Sequence, residues 1–167
     1  MAQHGTLNKV KNNLFMVLSL PVSAFDNIDD DNDGALSPKE FTAHRNDIID
    51  TVHQGVLLTA DDQPMPIHGI MVSPAAPDHN FSLPSNQIIV MGRFELEPDF
   101  TDLDYSINLF GKHSGEQTIE ITTTIENDNY SRQFELSPEH PEERLFDASA
   151  KGLLEVIKTG ISNVSLF

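Results

Sequence analysis

The segment from Asp29 to Glu40, DDDNDGALSPKE, constrains this chain more than any other. It matches the pattern D-x-[DN]-x-[DN]-G-x5-E, the signature of an EF-hand calcium loop, at every fixed position. Ca²⁺ takes six to eight oxygen ligands, which such a loop supplies from positions 1, 3, 5, 7, 9 and 12. We therefore predict a Ca²⁺ site formed by Asp29, Asp31, Asp33, the carbonyl oxygen of Ala35, Ser37 or a water beside it, and Glu40.

Two other readings of this loop are open. A smaller Mg²⁺ ion prefers octahedral geometry and retains its waters, so it suits the loop less well. A solvated acidic turn would need no metal. However, Gly34 stands where the loop bends sharply and Leu36 stands where an apolar residue anchors such loops, and both favour a metal site.

Sequence signals predict a helix on each side of the loop. Ser37, Pro38 and Glu40 form a capping box with proline at the first helical position. Apolar residues at helical spacing extend this exit helix to about His53. Before the loop, Val22, Phe25 and Ile28 have the spacing of a short entering helix. The sequence thus predicts an EF-hand helix-loop-helix over residues 22–54.

The rest of the chain is typical of β-strands. A hairpin is predicted before Pro21, with LFMVLSL as its second arm, and TIEITTTIE alternates as a half-buried antiparallel strand does. Further strand candidates, separated by turn-rich pieces, are GVLLTA, PIHGIMVS, NQIIVMGRFEL, DYSINLFG and SRQFEL. The predicted fold class is α+β: a mostly antiparallel β-sandwich with the EF-hand inserted near the N-terminus, closed by a C-terminal helix.

The domain prediction follows from these elements. We predict a β-rich domain over residues 1–145 that includes the EF-hand, and a C-terminal helix over residues 146–167 that begins a membrane segment if more sequence follows. A membrane helix needs about 20 apolar residues, whereas the stretch 152–167 is shorter and carries Glu155 and Lys158. We expect attachment to a membrane only through sequence after Phe167. The first residues show no signal-peptide pattern, which leaves open that a leader has been removed.

Charge and residue usage exclude some functions. The net charge of −16 disfavours nucleic acid as a partner, because its phosphates would be repelled. The chain has no cysteine, hence no thiol nucleophile, and no nucleophile-and-base motif points to an enzyme. Ala2, Gln3 and His4 offer a square-planar donor set for Cu(II) or Ni(II) if Met1 is removed. The seven histidines form no spaced metal motif: His4, His44, His53, His68, His79, His113 and His140.

Four segments resemble, in order, the extracytoplasmic region of hydrogenase/urease accessory membrane proteins of the HupE/UreJ type. They are FDNIDDDNDGALSPKEFTAHRNDI, LDYSINLFG, FELSPEHPEERLF and LLEVIKTGIS. The resemblance implies an exported β-rich segment with one calcium loop, periplasmic or on the cell surface, followed in the longer natural form by a helical membrane domain. Val156, Ser162 and Asn163 stand where the family has the His, Asp and His thought to handle nickel, which argues against metal transport.

Two functions remain from the sequence. The first is a non-enzymatic calcium-binding extracytoplasmic domain that contacts a protein partner or its own membrane domain. The second is a metal-delivery module that passes nickel or copper to a membrane transporter. Sensor proteins usually pair two calcium loops and expose a Met-lined groove, but this chain has one loop and scattered methionines. The sequence therefore favours a structural calcium site.

Overall fold

The computed structural model describes residues 3 to 146, which form ten strands and one α-helix. The first part of the chain contains β1 (Gln3–Val10), β2 (Asn13–Pro21), α1 (Pro38–Gly55), β3 (Val56–Ala60), β4 (Gln63–Met65) and β5 (Ile67–Pro74). The second part contains β6 (Gln87–Glu95), β7 (Leu103–Ile107), β8 (Ile119–Ile125), β9 (Ser131–Leu136) and β10 (Glu142–Leu145). Short 3-10 turns lie at Val22–Ala24 and Pro77–His79.

The strands form two sheets. One has six strands in the order β5-β6-β2-β1-β8-β9, and the other has four in the order β10-β7-β3-β4. All described strand pairs are antiparallel except β1 with β8, which run parallel. The predicted α+β class and mostly antiparallel layout are confirmed at this level.

The core lies between the sheets, because alternate residues of each strand are buried. In β2, Leu14, Met16 and Leu18 point inward, while Phe15 and Val17 on the opposite face are exposed. Tyr105 of β7 is fully buried, and its hydroxyl donates to Met16 Sδ at 3.3 Å. The two sheets thus share one apolar core in a sandwich-like arrangement.

Most of the predicted strands are present. The hairpin of β1 and β2 ends at Pro21 as expected, and each later strand candidate contains a strand. The short strands β4 and β10 were not predicted, because three or four residues carry too little alternation. The parallel pairing of β1 with β8 was not predicted either, since alternation does not identify a strand's neighbour.

The prediction of an entering helix before the loop is wrong, because the structure has only a single 3-10 turn there. Only Val22–Ala24 are helical, and Phe25 already has extended backbone. Val22 donates its N–H to Asn86 O at 3.0 Å, and Asn27 has a left-handed φ of 61°, which interrupts a right-handed helix. Val22, Phe25 and Ile28 are nevertheless buried as their spacing indicated. The segment uses tertiary contacts in place of a helix.

The exit helix is as predicted. α1 begins after Ser37 with both halves of the capping box formed, and it ends at Gly55, two residues beyond the expected end. Its buried residues Ile48 and Val52 pack into the core, and the helix contacts β3 and β5. The helix therefore fixes the last residue of the loop, Glu40, relative to both sheets.

The predicted C-terminal helix over 146–167 lies outside the described residues, apart from Phe146. That residue is buried, and its ring lies 5.4 Å from the ring of Tyr130. Among residues 3 to 146, no helix has the length and apolar character needed to cross a membrane.

A first prediction concerns the junction of α1 with β3. A Cβ on Gly55 would lie 2.7 Å from Cγ of Leu109, too close without rearrangement. Gly55→Ala should lower the free energy of unfolding by about 1–3 kcal/mol through overpacking. The neighbouring exposed change Gln54→Ala is the control. Equal urea denaturation midpoints for the two variants would contradict the close packing at Gly55.

Candidate metal centre

The structure brings together the four carboxylates that the sequence singled out. One oxygen from each of Asp29, Asp31, Asp33 and Glu40 lies within 4.8 Å of the other three. Oxygens on opposite sides of a Ca²⁺ ion are about 4.6–5.2 Å apart, from metal–oxygen distances of about 2.3–2.6 Å. The cluster therefore has the size and the all-oxygen donors that suit one hard cation.

Hydrogen bonds within the loop hold the first three carboxylates. Asp29 accepts from the N–H groups of Asp33 at 3.3 Å and Gly34 at 2.8 Å, while Asp33 Oδ1 accepts from Ala35 N at 2.9 Å. Asn32 and Gly34 have left-handed φ values of 60° and 82°. The loop folds back at these two residues, which turns the side chains of alternate residues toward one point.

Glu40 joins the two ends of the loop. Its Oε2 accepts from Asp30 N at 2.6 Å and more weakly from Asp31 N at 3.4 Å, and Oε1 accepts from Ser37 N at 2.9 Å. The residue is only 6% exposed. The Ser37 backbone hydrogen bond, aided by the others, lowers the pKa of Glu40 against the opposing effect of burial. Glu40 is thus an ionised carboxylate placed beside the other three.

The acidic groups of the loop also affect the pKa of Asp31. Desolvation raises the pKa of its carboxyl, and the neighbouring carboxyls of Asp29 and Asp33 raise it further, against a backbone hydrogen bond that lowers it. A proton and a cation relieve the same repulsion, so they compete for this loop. A bound divalent ion would therefore stabilise the arrangement of charges that the fold imposes.

The two remaining predicted ligands, Ala35 and Ser37, lie at positions 7 and 9 of the loop. Ala35 is half-buried between Asp33 and Leu36. The Ser37 hydroxyl accepts the N–H of Glu40 at 3.1 Å as the N-cap of α1. Because this hydroxyl already serves the helix, we expect a water beside Ser37 to complete the ligand shell.

The middle of the loop is attached to the body through backbone hydrogen bonds. Leu36 is buried and forms an isolated antiparallel bridge with Ser85: Leu36 N donates to Ser85 O at 2.7 Å, and Ser85 N donates to Leu36 O at 3.0 Å. Ser85 belongs to the connection between β5 and β6. No sequence motif marked Ser85, and only the three-dimensional structure shows this contact.

The segment before the loop is attached to the turn between β7 and β8. Ser23 Oγ donates to Glu116 Oε1 at 2.6 Å and accepts from Lys112 N at 3.0 Å. Lys112 also forms an exposed ion pair with Asp26 at 2.6 Å. A cleft of about 490 Å³ separates this turn from the loop, with Asp29 and Lys112 among its lining residues. These contacts replace the support of an entering helix.

One histidine lies next to the loop without joining it. His44 of α1 places Nε2 at 2.9 Å from both carboxylate oxygens of Asp30, and Nδ1 at 3.4 Å from Asp47. The hydrogen bond with Asp30, followed by that with Asp47, raises the pKa of His44 above 6.5. Asp30 occupies position 2 of the loop, which supplies no ligand.

The histidines do not gather into a second site among the described residues. The carboxylate cluster is the single group of close metal-ligating side chains in this part of the chain, and it contains no histidine. Gln3 and His4 lie in β1, which is paired with β2 on one side and β8 on the other. A square-planar site at the amino terminus would use the backbone amide nitrogens of this segment as metal ligands, and Gln3 and His4 of that segment belong to the paired strand β1.

Comparisons with known proteins add no assignment. No protein-family model matches the chain, and no curated protein matches it.

A second prediction concerns His44 in metal-free protein. Since its folded-state pKa is raised, the ion pair with Asp30 stabilises the fold fully below pH 6.5, and this contribution is lost as the pH rises through the folded-state value. His44→Gln should therefore be destabilising at pH 5.5 and nearly neutral at pH 9. Urea unfolding at both pH values measures this, with the exposed His53→Gln as control. A destabilisation that is the same at both pH values would contradict the ion pair.

Proposed function

We propose that this chain is a calcium-binding, non-enzymatic domain in which one Ca²⁺ ion serves a structural role. The observation that carries the proposal is the convergence of four carboxylate oxygens within 4.8 Å on a loop of calcium-binding pattern. The ion would be held by Asp29, Asp31, Asp33 and Glu40, with the Ala35 carbonyl and a water beside Ser37. It supplies positive charge where the fold concentrates negative charge.

The donor chemistry supports calcium over other metals. Every donor is an oxygen atom, which disfavours soft or borderline ions that select sulfur and imidazole. Mg²⁺ prefers octahedral geometry and keeps several waters, so it usually takes few protein ligands. This loop offers more protein ligands than that. Ca²⁺ accepts six to eight oxygens in flexible geometry, so the loop suits it best.

The attachments of the loop support a structural role over a sensing one. A sensor needs helices that move apart on loading and expose an apolar groove. Here the loop has no entering α-helix, Leu36 is bridged to Ser85, and α1 is packed into the core through Ile48 and Val52. An ion bound to such a loop reduces local motion and has no hinged helix pair to open.

The place of the domain in a larger protein is a further part of the proposal. The HupE/UreJ-type resemblance supports an extracytoplasmic domain, periplasmic or on the cell surface, that accompanies a membrane domain and contacts it or a protein partner. Extracellular calcium modules bind with Kd of about 10⁻⁴–10⁻³ M. We expect an affinity in that range.

Delivery of nickel or copper to a transporter is the alternative function. It requires convergent imidazole or sulfur donors. Among the described residues no observation favours it, since the close ligand group is made of carboxylates. Calorimetric titration with Ni²⁺ in the presence of saturating Ca²⁺ tests this alternative, and tight binding that is lost in His4→Ala would support it.

Stabilisation by calcium is the third prediction. An ion that binds only the folded loop at 100 times its Kd adds about 2.7 kcal/mol to the free energy of unfolding. With a Kd on the order of 10⁻⁴ M, about 10 mM CaCl2 should raise Tm by roughly 5–11 °C relative to the same protein in a chelator such as EDTA. MgCl2 at the same ionic strength is the control. Coincident melting curves in CaCl2 and chelator would contradict the proposal.

The fourth prediction separates the ligand Glu40 from its acidic neighbour Asp30. Glu40→Gln keeps the side-chain shape but removes the charge, and its amide nitrogen cannot accept the loop N–H groups. Changes in residues that only support metal ligands weaken metal binding roughly 10- to 100-fold. Because Glu40 is a ligand itself, the Kd of the Glu40→Gln variant for Ca²⁺ should rise by more than this. Asp30→Asn should change Kd by less than about five-fold, since an exposed charge at a non-ligand position contributes little.

Calorimetric titration of both variants checks this prediction after circular dichroism has shown that each is folded. Equal losses of affinity would mean that the ligand positions are assigned in the wrong register.

A further inference from the structure

Residues 85 and 86 hold two separate parts of the metal-binding region. Ser85 exchanges two backbone hydrogen bonds with Leu36 in the loop, at 2.7 and 3.0 Å. Asn86 O accepts from Val22 N, in the segment before the loop, at 3.0 Å. The loop and its entering segment therefore both depend on the position of this dipeptide.

The Ser85 side chain extends these contacts to the six-stranded sheet. The residue is 2% exposed, and its hydroxyl contacts the carbonyl oxygens of Ala75 and Gln87, the latter at 2.9 Å, and accepts from Gln87 N at 3.2 Å. Ala75 follows β5 and Gln87 begins β6. Ser85 thus joins both ends of the connection between these strands to the middle of the metal loop.

The middle of this connection, residues 76–84, is held mainly by local contacts. Its hydrogen bonds run from His79 to Ala76, from Asn80 to Pro77, from Leu83 to Asn80 and from Ser82 to Asn80. Asp78 and His79 have left-handed φ values of 49° and 58°. Phe81 is 75% exposed and Leu83 is 44% exposed. This connection therefore presents an apolar tip whose position depends on its two ends.

We infer that Ser85 couples the metal site to the 76–84 connection, so that ion binding orders the tip that carries Phe81. The inference rests on the proposed calcium binding and adds a second element that responds to it. Repulsion between carboxylates loosens the empty loop and weakens the Leu36–Ser85 bridge. An ion that orders the loop strengthens the bridge, and by linkage a stronger bridge raises the affinity for the ion.

Replacement of Ser85 by alanine tests the coupling from the side of the tip. Ser85→Ala should raise the calorimetric Kd for Ca²⁺ about five-fold, the change that corresponds to the loss of one hydrogen bond. Ser82→Ala is the matched control, because Ser82 lies in the same connection but, among residues 3 to 146, its hydrogen bonds are to Asn80 alone. It should leave Kd unchanged.

A tryptophan at the tip tests the coupling from the side of the metal. The chain has no tryptophan, so Phe81→Trp provides a single reporter at an exposed position. Its fluorescence anisotropy should rise on titration with CaCl2, with a midpoint equal to the calorimetric Kd, and the midpoint should shift when Ser85→Ala is added. Amide hydrogen exchange of the unmodified chain should show added protection over residues 75–87 as well as in the loop.

The outcomes separate the two proposals. Calorimetric binding of Ca²⁺ without a change in anisotropy or in exchange over 75–87 would overturn the coupling and leave the proposed function intact. Absence of calorimetric binding would overturn both. If Ser85→Ala fails to fold, the exchange data on the unmodified chain decide the coupling without it.

Discussion

One buried carboxylate, that of Glu40, connects the acidic loop to the helix that follows it. Its oxygens accept N–H groups from Asp30, Asp31 and Ser37, which belong to the start of the loop and the start of α1. The helix is in turn fixed to the core through Ile48 and Val52. The position of the acidic cluster relative to both sheets therefore depends on this side chain. A charged group with 6% exposure is tolerated because its oxygens have hydrogen-bond donors, and a cation would add to their effect.

The β-sandwich supports the acidic loop through contacts with residues that are distant in the sequence. Contacts of Ser23 with Glu116 and Lys112 replace an entering helix, and the bridge from Leu36 to Ser85 attaches the middle of the loop to the sheet connection. These attachments come from two regions that are far from the loop in the sequence. A loop held in this way is suited to stabilising the surrounding fold, and an ion bound there would link the segments that meet at it.

Local signals predicted the cluster of four carboxylates and much of the fold. The capping box at Ser37 and Glu40 and the bend at Gly34 depend on neighbouring residues, so a single sequence reveals them. Alternation in β8 likewise marked a half-buried strand. Such signals also explain why the carboxylates converge as expected.

What the sequence could not reveal depends on contacts between distant segments. Val22, Phe25 and Ile28 are buried as their spacing predicts, but tertiary hydrogen bonds and the left-handed backbone of Asn27 override the helix that this spacing also predicts. Ser85 belongs to no motif, and its importance arises only from where β5 and β6 place it. The alternation of residues along a strand likewise does not show that β1 pairs with β8 in parallel.

The most direct test of calcium binding is a crystal structure of the chain grown with CaCl2 at saturating concentration. We expect one electron-density peak bonded at about 2.3–2.6 Å to oxygens of Asp29, Asp31, Asp33, Glu40 and the Ala35 carbonyl. Anomalous scattering would identify the ion as calcium. A metal-free loop under these conditions, or a calcium ion bound to a different group of residues, would contradict the proposed calcium site.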